Sequence, residues 1–144
     1  MAIFSTMMNS PLTLGPILER TGKLFGPVEI VSRLPNKQLH RSTYAEFYRG
    51  SRALAQALAL AGMRRGDRVA TMMWNHKWHL EAYFGIPLSG CVLHTLNIRL
   101  HPDELAYIVN HAEDRILLVD DVLLPVYQSF KDKVHFEKVI VVAT

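Results

Sequence analysis

Apolar residues recur at helical spacing from about Leu12 to Lys23, with Leu14, Ile17, Leu18 and then Leu24 on one face. Gly26-Pro27 ends that pattern. Val28 to Ser32 reads as a strand, Pro35-Asn36-Lys37 as a turn, and Gln38 to Arg41 as the returning strand. This hairpin is weakly apolar and is expected to lean on a larger body. The next helix is predicted over 44–61. Thr43-Tyr44-Ala45-Glu46 is a capping box, in which the Thr43 oxygen and the Glu46 carboxylate satisfy each other's orphan backbone N–H groups. Tyr44, Phe47, Leu54, Leu58 and Ala61 trace its apolar face, and Gly62 supplies a left-handed stop.

From Arg68 onward strand and helix alternate. Val69 to Trp74 is an apolar run without alternation, as expected for a strand buried on both faces. Asn75 is placed to cap a helix reaching about Leu88, and Cys91 to Leu96 forms the next strand. His101-Pro102-Asp103-Glu104 opens another helix with proline in its first turn and carboxylates at the positive end of the dipole. Leu100 and Leu105 are placed to staple it. Arg115 to Asp120 is a third strand, Val122 to Phe130 a short helix, and Val139 to Val142 a fourth strand. The fold class predicted is α/β: a helix-hairpin-helix followed by a βαβαβαβ segment with a parallel sheet and right-handed crossovers. No helix follows Thr144 to cover the next layer, so 1–144 reads as the opening part of a larger domain.

Composition narrows the functional classes. The 144 residues carry 16 Lys+Arg against 13 Asp+Glu, a scattered +3 that lacks the dense basic stripe of a nucleic-acid binder. No segment approaches the roughly 20 apolar residues of a membrane helix. No basic-then-apolar leader opens the chain, so a cytoplasmic protein is expected. Met7-Met8 could mark an alternative start. The single Cys91 excludes an intrachain disulfide.

Candidate chemistry is sparse. G-x-x-x-x-G-K-[ST] and G-x-G-x-x-G are absent; Gly85 and Gly90 have the loop spacing, but Cys91-Val92 follows where Lys-Ser/Thr is needed. His76 and His79 are three apart and could share a helix face, yet H-E-x-x-H is missing and Glu81 points elsewhere, so no metal site is predicted. The expectation is a cap-side His76 and a packed or pocket-edge His79. His94, near a strand's carboxyl end, reads either as a core histidine or as a crevice residue. Asp120-Asp121 end a strand, where a ribose or metal site can form, but more often cap the following helix. Trp74 and Trp78 are expected in the core rather than on a ligand. Asn75, His76, His94 and Asn97 are the substrate-crevice candidates, and no catalytic residue is assigned.

Several motifs then carry a resemblance. Ser42-Thr43-Tyr44-Ala45-Glu46-Phe47 resembles the first core motif of the adenylate-forming enzymes, and Gly66-Asp67-Arg68-Val69-Ala70 follows at the expected place. Pro87-Leu88-Ser89-Gly90-Cys91-Val92-Leu93-His94-Thr95-Leu96-Asn97 resembles the second, with Cys91 at an alanine position and Ile98 where proline is frequent. Asn75-His76, His79 to Phe84, His94 to Asn97 and Tyr107 to Asp114 look like the medium- to long-chain fatty-acyl-CoA ligase branch. The resemblance runs from about Ser5 to Val142. It implies a partial AMP-binding domain of a ligase that uses ATP, Mg²⁺ and coenzyme A and often forms homodimers. It also implies that the phosphate loop, the metal-binding Glu, the ribose-binding Asp and the catalytic Lys lie downstream of the matched region. Thr43, Glu46 and Gly90 are then scaffold, with Gly90 expected to let a helix pack close to a strand. The isolated chain is expected to bind no cofactor, to be inactive, and to associate with the remainder of the ligase or with itself. Two alternatives stay open: a non-catalytic module that pairs with an intact ligase, and an unrelated flavodoxin-like domain holding a small ligand near Asn75, His94 and Asn97.

Overall fold

A computed structural model describes residues 12–144; Met7 and Met8, and the part of the resemblance that precedes Leu12, lie outside the described residues. Helix α1 (Leu14–Leu24) leads into the antiparallel hairpin β1 (Glu29–Arg33) and β2 (Leu39–Thr43). Helix α2 (Tyr44–Leu60) follows at once because Thr43 ends the strand and caps the helix. The Glu46 N–H donates to Thr43 Oγ1 at 3.3 Å, and the Thr43 N–H donates to Glu46 Oε2 at 2.7 Å. The Thr43 N–H and the Thr43 hydroxyl, which donates to the same Oε2 at 3.1 Å, hold the Glu46 carboxyl below its ordinary range. Gly62 leaves the helix at φ +83°, the left-handed stop read from the sequence.

The remaining elements are β3 (Arg68–Met72), α3 (Lys77–Leu88), β4 (Val92–Thr95), α4 (Pro102–Ala112), β5 (Asp114–Asp120), α5 (Leu124–Gln128) and β6 (Lys138–Val142). They form a four-stranded sheet in the order β4-β3-β5-β6, with every pair parallel. Val69, Ala70, Thr71 and Met72 are all buried, as the unbroken apolar run predicts. The helix expected over 122–130 is instead a 3₁₀ turn at Asp121–Leu123 followed by the five-residue α5.

Two cores flank the sheet. On one face Val69, Ile116 and Leu118 pack with Leu58 of α2 and Ala82 and Ile86 of α3. On the other, Ala70, Met72, Leu117 and Val119 pack with Leu105, Ala106 and Val109 of α4 and with Phe130. The crossovers β3-α3-β4 and β4-α4-β5 run in opposite directions across the sheet, so two crossovers of one hand place α3 and α4 on opposite faces. The hairpin leans on this body, with the His40 ring 5.4 Å from that of Trp78.

Glycine use differs from the expectation at Gly90. Its φ of +86° and the ordinary 3.6 Å approach of Arg65 show a left-handed turn into β4, not a close helix–strand contact. Close packing belongs to Gly85, where a Cβ would stand 2.7 Å from the Ser51 carbonyl oxygen and 3.0 Å from Leu54 Cδ2. Alanine gains helix propensity of about 1 kcal/mol over glycine, but overpacking against a backbone oxygen costs about 1–3 kcal/mol. Gly85→Ala is therefore expected to lower the unfolding midpoint, measured by thermal denaturation followed by circular dichroism.

Candidate functional site

The sheet order creates a switch point between β3 and β5, because the chain leaves β3 toward β4 and later returns to β5 on the other side. In open α/β sheets the crevice outside the carboxyl ends of such strands is the usual ligand site. Here the loop after β3 supplies Trp74, Asn75 and His76, the loop after β5 supplies Val122 and Leu123, and the hairpin closes the third side. The crevice has two lobes that share Arg33 and Asn75. One, of about 270 Å³, is lined by Val31, Ser32, His76, His79, Leu80 and Tyr83 as well. The other, of about 630 Å³, adds Leu34, Pro35, Trp74, Val122 and Leu123.

Beneath the crevice lies a buried polar brace. Asp120, fully buried at the end of β5, accepts from the Trp74 N–H at 2.7 Å and from His76 Nε2 at 2.9 Å. His76 Nδ1 accepts from the His79 N–H at 3.4 Å, which fixes the proton of His76 on Nε2 and makes its side chain the N-cap of α3. His79 Nδ1 stands 3.2 Å from the Trp74 carbonyl, an acceptor only, so it carries the hydrogen. His79 Nε2 then accepts from Thr71 Oγ1 at 3.1 Å. Burial pushes the His79 imidazole below its ordinary pKa and keeps it neutral, a state both of its bonds fit.

Every ring nitrogen of His76 and His79 is thus committed within the fold. Neither histidine has a lone pair to offer a metal or a reacting proton, and among the described residues no three His, Cys, Asp or Glu side chains gather for a metal ion. The pair works as a brace. Glu81 stands apart, against Gly50 of α2 and 3.7 Å from Lys77 Nζ, with burial raising its carboxyl pKa.

Several sequence-based assignments change here. The cap of α3 is His76 and not Asn75, which is exposed and lines both lobes. Asp120 occupies the N-cap position of the following turn but makes no side-chain cap bond there; Asp121, the turn's first residue, accepts the Val122 N–H at 2.8 Å. Trp74 is 44% exposed at the crevice instead of buried in the core, whereas Trp78 packs at the edge of the α3-side core. His94 does not join the crevice. It pairs in register with Ala70, whose side chain faces α4, and its Nδ1 meets Asp114 Oδ2 at 2.7 Å toward the opposite end of the sheet. Burial raises the Asp114 carboxyl pKa despite that partner. Asn97 lies in the turn after β4, where its Oδ1 accepts the Arg99 N–H at 3.1 Å. Arg33 escaped the sequence reading because it ends a short exposed strand 42 residues before Asn75 in a stretch with no motif.

The fold is an open α/β sheet with helices packed on both faces, a crevice at its switch point and a histidine brace beneath that crevice. Residues 27–144 match the family of AMP-binding enzymes, and the chain belongs to that family. It is 53% identical over 127 residues to a long-chain-fatty-acid–CoA ligase of Thermus thermophilus, covering 88% of this chain and 24% of that protein. A 3-methylmercaptopropionyl-CoA ligase of Ruegeria lacuscaerulensis is 35% identical over 127 residues, with the same coverage of 88% and 24%. The solved N-terminal domain of FACL13 from Mycobacterium tuberculosis superposes with a TM-score of 0.80 at 20% identity, over 90% of this chain and 33% of that domain, which shows the common fold. The chain spans about a quarter of the length of the curated relatives it matches. No helix among the described residues is long and apolar enough to cross a membrane.

Removing the carboxylate with Asp120→Ala leaves the Trp74 N–H and His76 Nε2–H buried without an acceptor. A loss of roughly 1–3 kcal/mol is expected from leaving such a donor unsatisfied, read as a lower urea midpoint. The depressed His79 pKa sets a pH dependence. Above its ordinary value of 6.5 both folded and unfolded chains hold the ring neutral. As pH falls below 6.5 the unfolded chain takes up the proton first, and folded stability declines. The difference in unfolding free energy between wild type and His79→Gln should shrink as pH drops from 7.5 to about 5, measured by urea titrations along the series.

Proposed function

We propose that this chain is the scaffold-bearing opening segment of an ATP-dependent fatty-acyl-CoA ligase. The whole reaction joins a fatty carboxylate to ATP, releasing pyrophosphate, and then passes the acyl group from AMP to the thiol of coenzyme A. What carries the reading is the 53% identity to the Thermus long-chain ligase across nearly the entire chain. The family match also removes the alternative of an unrelated flavodoxin-like domain, although the strand order resembles that fold.

Among the described residues the crevice lining brings in one cation, Arg33. Phosphoryl and adenylyl transfer need positioned cations and donors on the phosphates, and the two crevice histidines are consumed by the brace. Residues 1–144 alone are therefore proposed to be inactive and to act through association. The outer strand β6 favours this: Val139, Ile140 and Val141 are 37–49% exposed, and its far backbone edge has no partner strand among the described residues. Further strands of the same ligase domain are proposed to pair there.

The test has two arms. Replacing the matching segment of the Thermus ligase with this chain should give an enzyme that forms oleoyl-CoA within about tenfold of the parent rate. Purified 1–144 should release no more pyrophosphate with oleate than without it. If the chimera does not fold, 1–144 is co-expressed with the Thermus ligase lacking that segment, and recovered activity supports the reading equally. Inactivity of both assemblies, or turnover by 1–144 alone, overturns it.

A further inference from the structure

Two carboxylates are buried among the described residues, and the brace uses only Asp120. The other, Asp114, opens β5 at the opposite end of the sheet. It is 4% exposed, and its Oδ1 has no hydrogen-bond partner among the described residues. Its Oδ2 meets His94 Nδ1 at 2.7 Å. This contact crosses the sheet, because β4 and β5 lie on either side of β3. His94 is in register with Ala70 and Asp114 with Arg68, and the small side chain of Ala70 leaves the imidazole room to reach over the central strand. The charged neighbours are already committed. Arg68 donates to the Ala112 and Glu113 carbonyls and pairs with the Glu113 carboxylate, while Arg115 is held by Asp67 and Glu137. The α4 side chains packed on this face, Leu105, Ala106 and Val109, carry no charge. Asp114's side chain is wholly buried but that of His94 is 25% exposed, so protons exchange with water through the imidazole.

We infer that His94 and Asp114 hold one proton between them and form a proton-dependent latch that fastens the edge strand β4 to β5 across the central strand. With that proton the pair buries no net charge. Without it a carboxylate remains inside the fold with one oxygen unmatched, and a buried charge lacking compensation is costly. Burial raises the Asp114 carboxyl pKa despite the imidazole, in the direction of keeping the proton. The folded chain therefore holds the proton more tightly than the unfolded one, so the latch contributes at low pH and is lost as pH rises. The loss falls on β4, a strand of four residues that pairs only with β3 among the described residues. Just past its end the Leu96 N–H donates to the Thr71 carbonyl at 2.9 Å. Thr71 is also the residue whose hydroxyl bonds His79, so a latch at one end of the sheet bears on the brace at the other.

The test is amide hydrogen exchange of the 1–144 chain, followed by NMR from about pH 5.5 to about pH 8.5. Rates are expressed as protection factors, so that the intrinsic pH dependence of exchange cancels and local opening remains. The Val92 and Leu96 amides, which donate to the Asp67 and Thr71 carbonyls, report on β4, and the Leu58 amide inside α2 is the control. Across the series the two β4 reporters should lose at least about tenfold more protection than Leu58. Asp114→Asn keeps the shape of the side chain and removes its charge, and in this variant the gap between β4 and Leu58 should stay constant with pH. Should that variant fail to fold, the wild type decides: the Asp114 carboxyl carbon and the His94 ring nitrogens should titrate with one common midpoint. Equal losses at β4 and Leu58 in the wild type, the same β4 loss in Asp114→Asn, or separate midpoints for the two side chains overturns the latch.

Discussion

The carboxylate of Asp120 is the constraint on which the working end of this sheet depends. It is wholly buried, yet it links two loops that are 44 residues apart in the chain. A buried charge is tolerated only where donors surround it, and here they come from the Trp74 backbone and the His76 imidazole. Satisfying Asp120 therefore dictates the path of the β3–α3 loop. It also dictates the tautomer of His76, which sets the first turn of α3 and through it the position of His79. The donors and acceptors form one closed chain from β5 through α3 to Thr71 in β3.

Around that chain the fold is built by contacts that leave little freedom. Helices α2 and α3 approach closely because Gly85 presents no side chain to the Ser51 carbonyl. The opposite face is sealed by α4, itself held by His101 and Glu104, which cap it reciprocally, and by a left-handed Glu113 at its end. Arg68 then grips the carbonyls of Ala112 and Glu113 from the start of β3, tying the end of α4 back to the central strand. The hairpin adds a wall to the crevice rather than a layer to the core. Its exposed Arg33 is the charged group that this wall contributes.

Membership in the AMP-binding enzymes comes with a chain that covers about a quarter of its relatives, and among its described residues the two crevice histidines are committed to the brace. The segment contributes physically through its frame. It fixes the order and register of four parallel strands, leaves the far edge of β6 without a partner strand among the described residues, and holds a crevice at the strand ends. Catalysis in this class depends on preorganised groups, and preorganisation begins with a frame whose buried polar atoms are already paired.

What the amino-acid sequence determined by itself is local. The capping box at Thr43, the proline-led start of α4, the stop at Gly62 and the buried run in β3 each depend on neighbours within a few residues, and each element was legible within a residue or two at its ends. The first two core motifs were legible in the same way and led to the family. Tertiary structure alone decided the rest. His94 and Asn75 look equivalent as strand-end polar residues, but the pleat turns His94 toward α4 and the opposite end of the sheet. Asp120 looks like an ordinary helix cap until strand order places β5 beside β3 and brings His76 under it. Trp74 looks like core until the hairpin is seen to stop short of covering it. In each case the deciding quantity is which side of a sheet a residue faces, and which strand lies next to it. Both are fixed by pairings across tens of residues that no local pattern encodes.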